Sequence, residues 1–373
     1  MRKRLTDSRF FQFCAARPKS VIFVVFLFFY GSAFYRLYTA YQMNHPDNPL
    51  ERMLLYNSWD DGKTFYDIML HGYKPLPISE YRQMPLYPLA CRIASPLTGK
   101  APSLMAVSVL SSFLSLLVLH SIYRRHFIKE GAALGGVIFF MVLRSPQSLF
   151  VFFSNHLPPM EILVSIQGSE SLFLLFVIFS YYFMIREDHI KAAILLAFAT
   201  LTRLPGCFVA FGAFVYLLGK RDKRAFWYVL SPLTLLLVFG YFYLISGDFF
   251  AFFTGSKKYY PTGALTLPYT DLVKMIIRQW NDPHDLFYCH FHYYILYHSW
   301  FVIGLIFLFK KDKRIFWLTF PSYLVNISLK DWSHHTRYYV VLWGISWIWY
   351  CLIFRPDRIK PDRTRLDNIT GKA

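Results

Sequence analysis

The run Tyr56-Asn57-Ser58-Trp59-Asp60-Asp61-Gly62 places two adjacent carboxylates directly after a tryptophan, just past the first long apolar stretch. At a water interface such a carboxylate suits a general base, and repulsion between neighbours raises one pKa toward a working value. Either aspartate serves equally as a helix N-cap or a solvated loop charge, and spacing alone leaves the readings open. Glu80 follows in the same segment, so paired-carboxylate chemistry on a glycosidic bond is a further possibility. Arg203 is the second chemical feature: it stands at Arg203-Leu204-Pro205-Gly206, inside an apolar block where an ionisable residue marks function unless it snorkels or is ion-paired. Glu170, behind Ser169 at the start of another apolar block, suits a helix-terminus role as well as an active-site one, and Gln167 reads as structural.

Lys257 and Lys258 with Tyr259 and Tyr260 suit either an anionic acceptor or a basic-aromatic patch at lipid headgroups. The histidines at 284, 290, 292 and 298 do not make a metal site, because His290-x-His292 does not put both rings on one helical face. The five cysteines, Cys14, Cys91, Cys207, Cys289 and Cys351, lack a paired spacing. A Gly-rich nucleotide loop and an Asp-x-Asp pair are both absent, which argues against a nucleotide-sugar donor.

The elements that must position these residues are membrane helices. Of 373 residues, 55% are hydrophobic, 20% aromatic and only 17% charged, against about 25% charged in soluble domains. Apolar blocks of about 17 to 22 residues match the bilayer core. Spans are expected near 20 to 40, 103 to 122, 132 to 153, 169 to 184, 226 to 246, 293 to 309, 315 to 329 and 338 to 354, with a composite block over 191 to 218. Basic clusters flank that composite block on both sides, so under the positive-inside rule a single crossing is excluded. Two helices of about 14 residues, each roughly 21 Å long, are expected to meet at Arg203-Leu204-Pro205-Gly206. Non-helical backbone within the bilayer is tolerated against protein or a water-filled cavity, and a cavity is expected at that turn.

The chain therefore reads as an all-α polytopic membrane protein of about ten helices, one integral domain over 1–373 with both termini inside. Six short inside segments hold 25 of the 40 Lys and Arg, while the longer outside segments hold 14. The net charge of +18 reports orientation and lipid contact, and nucleic acid is not an expected partner. The outside segments 41–102 and 247–292 are rich in Trp, Tyr, Pro and Asp and are expected to form re-entrant or amphipathic elements. Residues 355–373 read as a basic cytoplasmic tail.

Six short stretches, taken in order, carry a family resemblance. Trp59-Asp60 with Phe65-Tyr66, Ile68 and Gly72-Tyr73 resembles the first-loop motif of the GPI mannosyltransferase II family and its bacterial relatives, within the GT-C superfamily of polyprenyl-phosphate-sugar-dependent glycosyltransferases. Pro85-Leu86-Tyr87-Pro88-Leu89, Gly168-Ser169-Glu170-Ser171-Leu172-Phe173, Leu201-Thr202-Arg203-Leu204-Pro205-Gly206, Gly247-Asp248-Phe249-Phe250-Ala251-Phe252 and Arg337-Tyr338 are similar to the family's later motifs. The sequence departs from the pattern at Phe249, where the family favours Pro, at Met84-Pro85 in place of Phe-Phe-Pro, and at Met69 in the Ala-x-x-Gly-Tyr ending.

The resemblance implies a GT-C-type bundle that moves mannose or a related sugar from a polyprenyl (dolichyl-type) phosphate to an acceptor hydroxyl on the non-cytoplasmic face, with inversion. Asp60 would be the base, and Asp61 an orienting group or a spectator. Arg203, Arg337 and His335, with Lys330 and His334 nearby, are the candidate cations for the leaving phosphate. Trp59, Glu80, Tyr87, Gln167, Glu170 and Lys257 are candidates for the acceptor pocket. No cofactor or metal is expected. The partners are the lipid donor, a lipid- or glycan-linked acceptor and membrane lipid. The active face is outside the bacterial inner membrane or, alternatively, in the endoplasmic reticulum lumen. A transporter or flippase of an anionic lipid or lipid-linked sugar is the alternative function, since such proteins also use broken helices.

Overall fold

The computed structural model describes residues 16–44, 47, 61–126, 133–138, 168–257, 267–270, 273–274, 277, 281, 299, 302–310 and 312–328. Among these the fold is all-helical, with 84% helix and no strand. In chain order the elements are α1 Pro18–Asn44, α2 Asp61–His71, a 3-10 turn Ile78–Arg82, α3 Leu86–Thr98, α4 Lys100–His126, α5 Glu170–Met184, α6 His189–Thr202, α7 Pro205–Leu218, a 3-10 turn Lys223–Val229, α8 Leu230–Ser246, α9 Ala251–Ser256 and α10 Lys313–Asn326. Lys100–Arg124 and Lys223–Ser246 are long and apolar enough to cross a membrane, and Pro18–Ser32, Glu170–Met184, His189–Thr202 and Pro205–Leu218 are shorter apolar helices.

The composite block is two helices of 14 residues each, α6 and α7, broken at the expected place. Arg203 is extended between them (φ −154°, ψ 140°). Pro205 opens α7, where its missing N–H is no loss. Gly206 lies so close to the Ala199 and Thr200 backbone that a Cβ there would collide with it, and glycine lets α7 fold back along α6. His189 at the start of α6 and Leu217 at the end of α7 accordingly line one cavity. The pair is a helical hairpin with its turn at one end of the bundle and both outer ends at the other.

Small residues hold the neighbouring helices close, as they do where packing rather than water drives association. α4 meets α5 through Ser112 Oγ, which donates to Ser171 Oγ at 2.8 Å. α7 meets α10 at Gly212, where a Cβ would strike the Trp317 carbonyl. α5 also packs on α6, and α6 on α8. The main core runs from Ile22 and Phe26 of α1 through Leu119 and Tyr123 of α4 to Tyr181, Leu196, Ala213 and Leu318. By contrast the outer face of α8 is apolar and uncovered: Leu237 is 75% and Leu244 82% exposed.

Aspartates start helices at the end opposite the Arg203 turn. Asp188 accepts from Lys191 N, Asp222 from Arg224 N at 2.9 Å, and Asp312 from Arg314 N and Ile315 N, each satisfying orphan N–H groups of a first turn. Two tight reversals serve the same end, with Glu187 at φ 63° and Arg221 at φ 56°.

Candidate functional site

α2 joins the described motif stretches into two adjoining apolar clusters. Phe65 and Met69 are one turn apart and face Tyr87, Cys91, Leu104, Leu172 and Leu175. The Phe65 and Tyr87 rings meet edge to face at 4.8 Å. Ile68, about 100° round the helix from Met69, packs with Tyr73, Tyr81, Phe239, Phe242 and Ala251, against which Leu201, Leu204 and Phe249 also lie. Residues of the 65–73, 85–89, 168–173, 201–206 and 247–252 stretches thus converge on one short amphipathic helix.

A polar chain runs beside these clusters. The Tyr87 hydroxyl is fully buried and donates to the Leu104 carbonyl at 2.8 Å, with Ser108 Oγ a further 2.8 Å contact. Ser108 Oγ in turn donates to the Gly168 carbonyl at 3.0 Å, two residues before the start of α5. Ser169 follows, and its Oγ accepts from Arg203 Nη1 at 3.1 Å. The same nitrogen donates to Glu170 Oε1 at 2.5 Å in an ion pair whose side chains are 17% and 3% exposed. Glu170 is therefore a first-turn carboxylate, favoured there by the helix dipole, that holds the guanidinium at the α6–α7 turn. Among the described residues, protein backs this turn through Ser169, Glu170 and Ser322, whose Oγ lies 3.5 Å from the Pro205 carbonyl. The described cavity lies at the opposite end, beside His189 and Leu217.

The remaining candidates are distributed. Glu80 Oε2 accepts from Thr64 Oγ1 at 2.6 Å and Oε1 from Ser79 Oγ at 3.2 Å, so it ties the 3-10 turn to α2. Tyr87 is a core residue with its hydroxyl committed. Lys257 is exposed just past α9. Asp61 begins α2. Trp59, Asp60, Gln167, Lys330, His334, His335 and Arg337 lie outside the described residues, as do the histidines at 284, 290, 292 and 298 and the tail 355–373. Near Glu80, the Tyr73 hydroxyl donates to the Gln83 carbonyl at 2.8 Å, and burial, with Tyr241 and Tyr81 alongside, pushes its pKa up and keeps it a donor.

Sequence reasoning missed Thr64, Ser108 and Ser169 as positioning groups. The serine spacing on α4, at 103, 108, 111, 112 and 115, was the available signal, since all five are buried against neighbouring elements. Compared with known proteins, the chain matches no family model, no curated protein and no solved structure.

Proposed function

We propose that this chain is an integral membrane glycosyltransferase of the GT-C type, of about ten spans with both termini cytoplasmic. It moves mannose or a related sugar from a polyprenyl phosphate to an acceptor hydroxyl on the non-cytoplasmic face, periplasmic in a bacterium or lumenal in the endoplasmic reticulum. The membrane placement is supported by the apolar, uncovered face of α8 and by the basic loops gathered at one end of the hairpin. The observation that carries the chemical reading is the meeting of two motif stretches, at Arg203 and Glu170, at the end of the bundle opposite the basic loops; the ion pair between them equally fits the structural role that the sequence leaves open for Arg203.

In this reading the acceptor oxygen attacks the anomeric carbon as the carbon–oxygen bond to the phosphate breaks on the opposite face. Asp60 takes the hydroxyl proton, and the lipid phosphate leaves with the bonding electrons and needs no general acid. Asp61 orients the acceptor or the base. Arg203 supplies fixed positive charge to the departing phosphate, joined by Arg337 and His335, and Glu170 keeps the guanidinium oriented. Glu80 holds the 3-10 turn to α2 and Tyr87 holds the core beside it through the contacts described above, while Trp59, Gln167 and Lys257 complete the acceptor side. A transporter of an anionic lipid is the second reading, favoured by the broken α6–α7 hairpin.

The test is sugar transfer in membranes containing the full chain and radiolabelled polyprenyl-phosphate mannose. Transfer by the wild type, reduced at least about 100-fold by Asp60→Asn and also by Arg203→Gln, is the expected result. Full activity of Asp60→Asn refutes the proposed base. Failure of the wild type with a panel of lipid-linked sugars refutes the transferase and moves the transporter ahead.

A further inference from the structure

A cavity of about 340 Å³ opens at the end of the bundle remote from Arg203, between the ends of α5 and α7 and the starts of α6 and α10. Its charged lining divides into two kinds of group. The three carboxylates are committed. Asp222 accepts from the Arg224 backbone N–H and from its guanidinium at 2.9 and 3.0 Å. Asp312 caps α10 and accepts from the Tyr181 hydroxyl at 3.1 Å. Glu187 lies 2.8 Å from Arg224 Nη2 and 3.3 Å from His189 Nε2.

The ammonium groups are placed differently. Lys220 Nζ lies 4.7 Å over the Tyr216 ring and Lys313 Nζ 5.5 Å over the Phe309 ring. Among the described residues neither has a carboxylate within 4 Å. Arg224 is held by Asp222 and Glu187, whereas Arg314 adds a further cation to the wall, its nearest carboxylate contact being Asp312 at 3.5 Å. Apolar residues next to the lining in the chain or in contact with it are exposed: Leu218 follows Leu217 and is 50% exposed, Phe226 and Trp227 follow Arg224 closely and are 64% and 52%, and Phe309, under the Lys313 ammonium, is 48%. Fixed cations inside a cavity beside exposed aromatic and aliphatic groups match a ligand with an anionic head and an apolar body. The volume lies within the range of small-molecule sites and exceeds what a bare inorganic ion needs.

We propose that this cavity binds an anionic glycerophosphate group, held by Lys220, Lys313 and Arg314, as an acidic phospholipid headgroup presents it. The assignment rests on the membrane placement above and is independent of glycosyl transfer, so it is tested by binding and not by activity. Lys220, two residues past the end of α7, and Lys313, the first residue of α10, would then be bridged by one phosphate, which ties the hairpin to α10.

The experiment is native mass spectrometry of the purified full chain in detergent with added dioleoyl phosphatidylglycerol, dioleoyl phosphatidylcholine or glycerol 3-phosphate. The expected result is at least tenfold greater retention of phosphatidylglycerol than of phosphatidylcholine, lost in Lys220→Gln/Lys313→Gln and kept in Lys220→Arg/Lys313→Arg. Displacement of phosphatidylglycerol by millimolar glycerol 3-phosphate supports the site and identifies a soluble ligand as a second source. Lack of displacement, with the lysine dependence intact, supports the lipid as the source. Equal retention of the two lipids by the wild type overturns the proposal, as does undiminished retention by a folded glutamine variant. The wild-type comparison decides the matter alone should that variant not fold.

Discussion

At the Arg203 end one guanidinium and one carboxylate are withdrawn from solvent together beside a serine hydroxyl, whereas at the other end more numerous charges line a cavity, among them Glu187 at 63% and Arg224 at 44% exposed. The two ends lie roughly 21 Å apart along α6 by its residue count. Burial is what separates them energetically. A buried pair has already incurred desolvation, so removing one partner leaves an uncompensated charge, while an exposed pair exchanges its partner for water. The first arrangement fixes a single geometry at the turn. The second sets the Lys220 and Lys313 ammonium groups over aromatic rings.

The largest expected effect comes from breaking that contrast at its buried side. Glu170→Ala should destabilise the chain by about 3–5 kcal/mol, because it removes a carboxylate that is only 3% exposed and pairs with Arg203. Thermal unfolding in detergent measures the loss, and Glu170→Gln/Arg203→Met should recover part of it. Full recovery of wild-type stability by Glu170→Ala alone would mean that the pair is solvated after all.

The next effect probes the polar chain that leads to the pair. Tyr87→Phe removes the donor to Leu104 and a partner of Ser108 without changing shape, with an expected cost of about 1–2 kcal/mol in the same unfolding assay. At the opposite end Glu187→Gln should cost less than about 1 kcal/mol, and the difference from wild type should shrink in high salt. A Glu187 effect as large as that of Glu170 would erase the distinction between the ends.

The smallest effect is a pH dependence. The Arg224 guanidinium and backbone N–H lower the Asp222 pKa to about 2. A carboxylate depressed in the folded state adds stability that is complete above its unfolded pKa of about 4 and is lost as pH falls through the folded value. Asp222→Asn should therefore melt slightly below wild type at pH 7, and the two curves should converge as pH falls from about 4 toward 2.

Much of the local architecture could be read from residue order. The apolar block at 191–218 had basic clusters at both ends and a Pro-Gly pair at its centre, and those features require a break and a reversal wherever the chain folds. The start of α5 behind Ser169 was legible for the same local reason. Periodicity and hydropathy act over a few residues, so they report helices and their ends.

What closes around the Arg203 turn depended on distant parts of the chain. Glu170 is 33 residues away, Ser322 is 117 residues from Pro205, and Thr64 meets Glu80 across the bend between α2 and the 3-10 turn. No local pattern says which carboxylate will reach a given arginine, or that Ser169 and Ser322 will lie against the turn. The basic loops likewise announced an end of the bundle by their charge, but only the folding of three helix starts onto one another turned them into a cavity with spent carboxylates and lysines lacking them among the described residues. Residue types and their order determined the helices, the break at Arg203 and the charge asymmetry, because these follow from the chemistry of neighbouring residues. Pairing across the bundle was decided by tertiary packing, because close approach at Gly206, Gly212 and the serines of α4 selects which side chains meet.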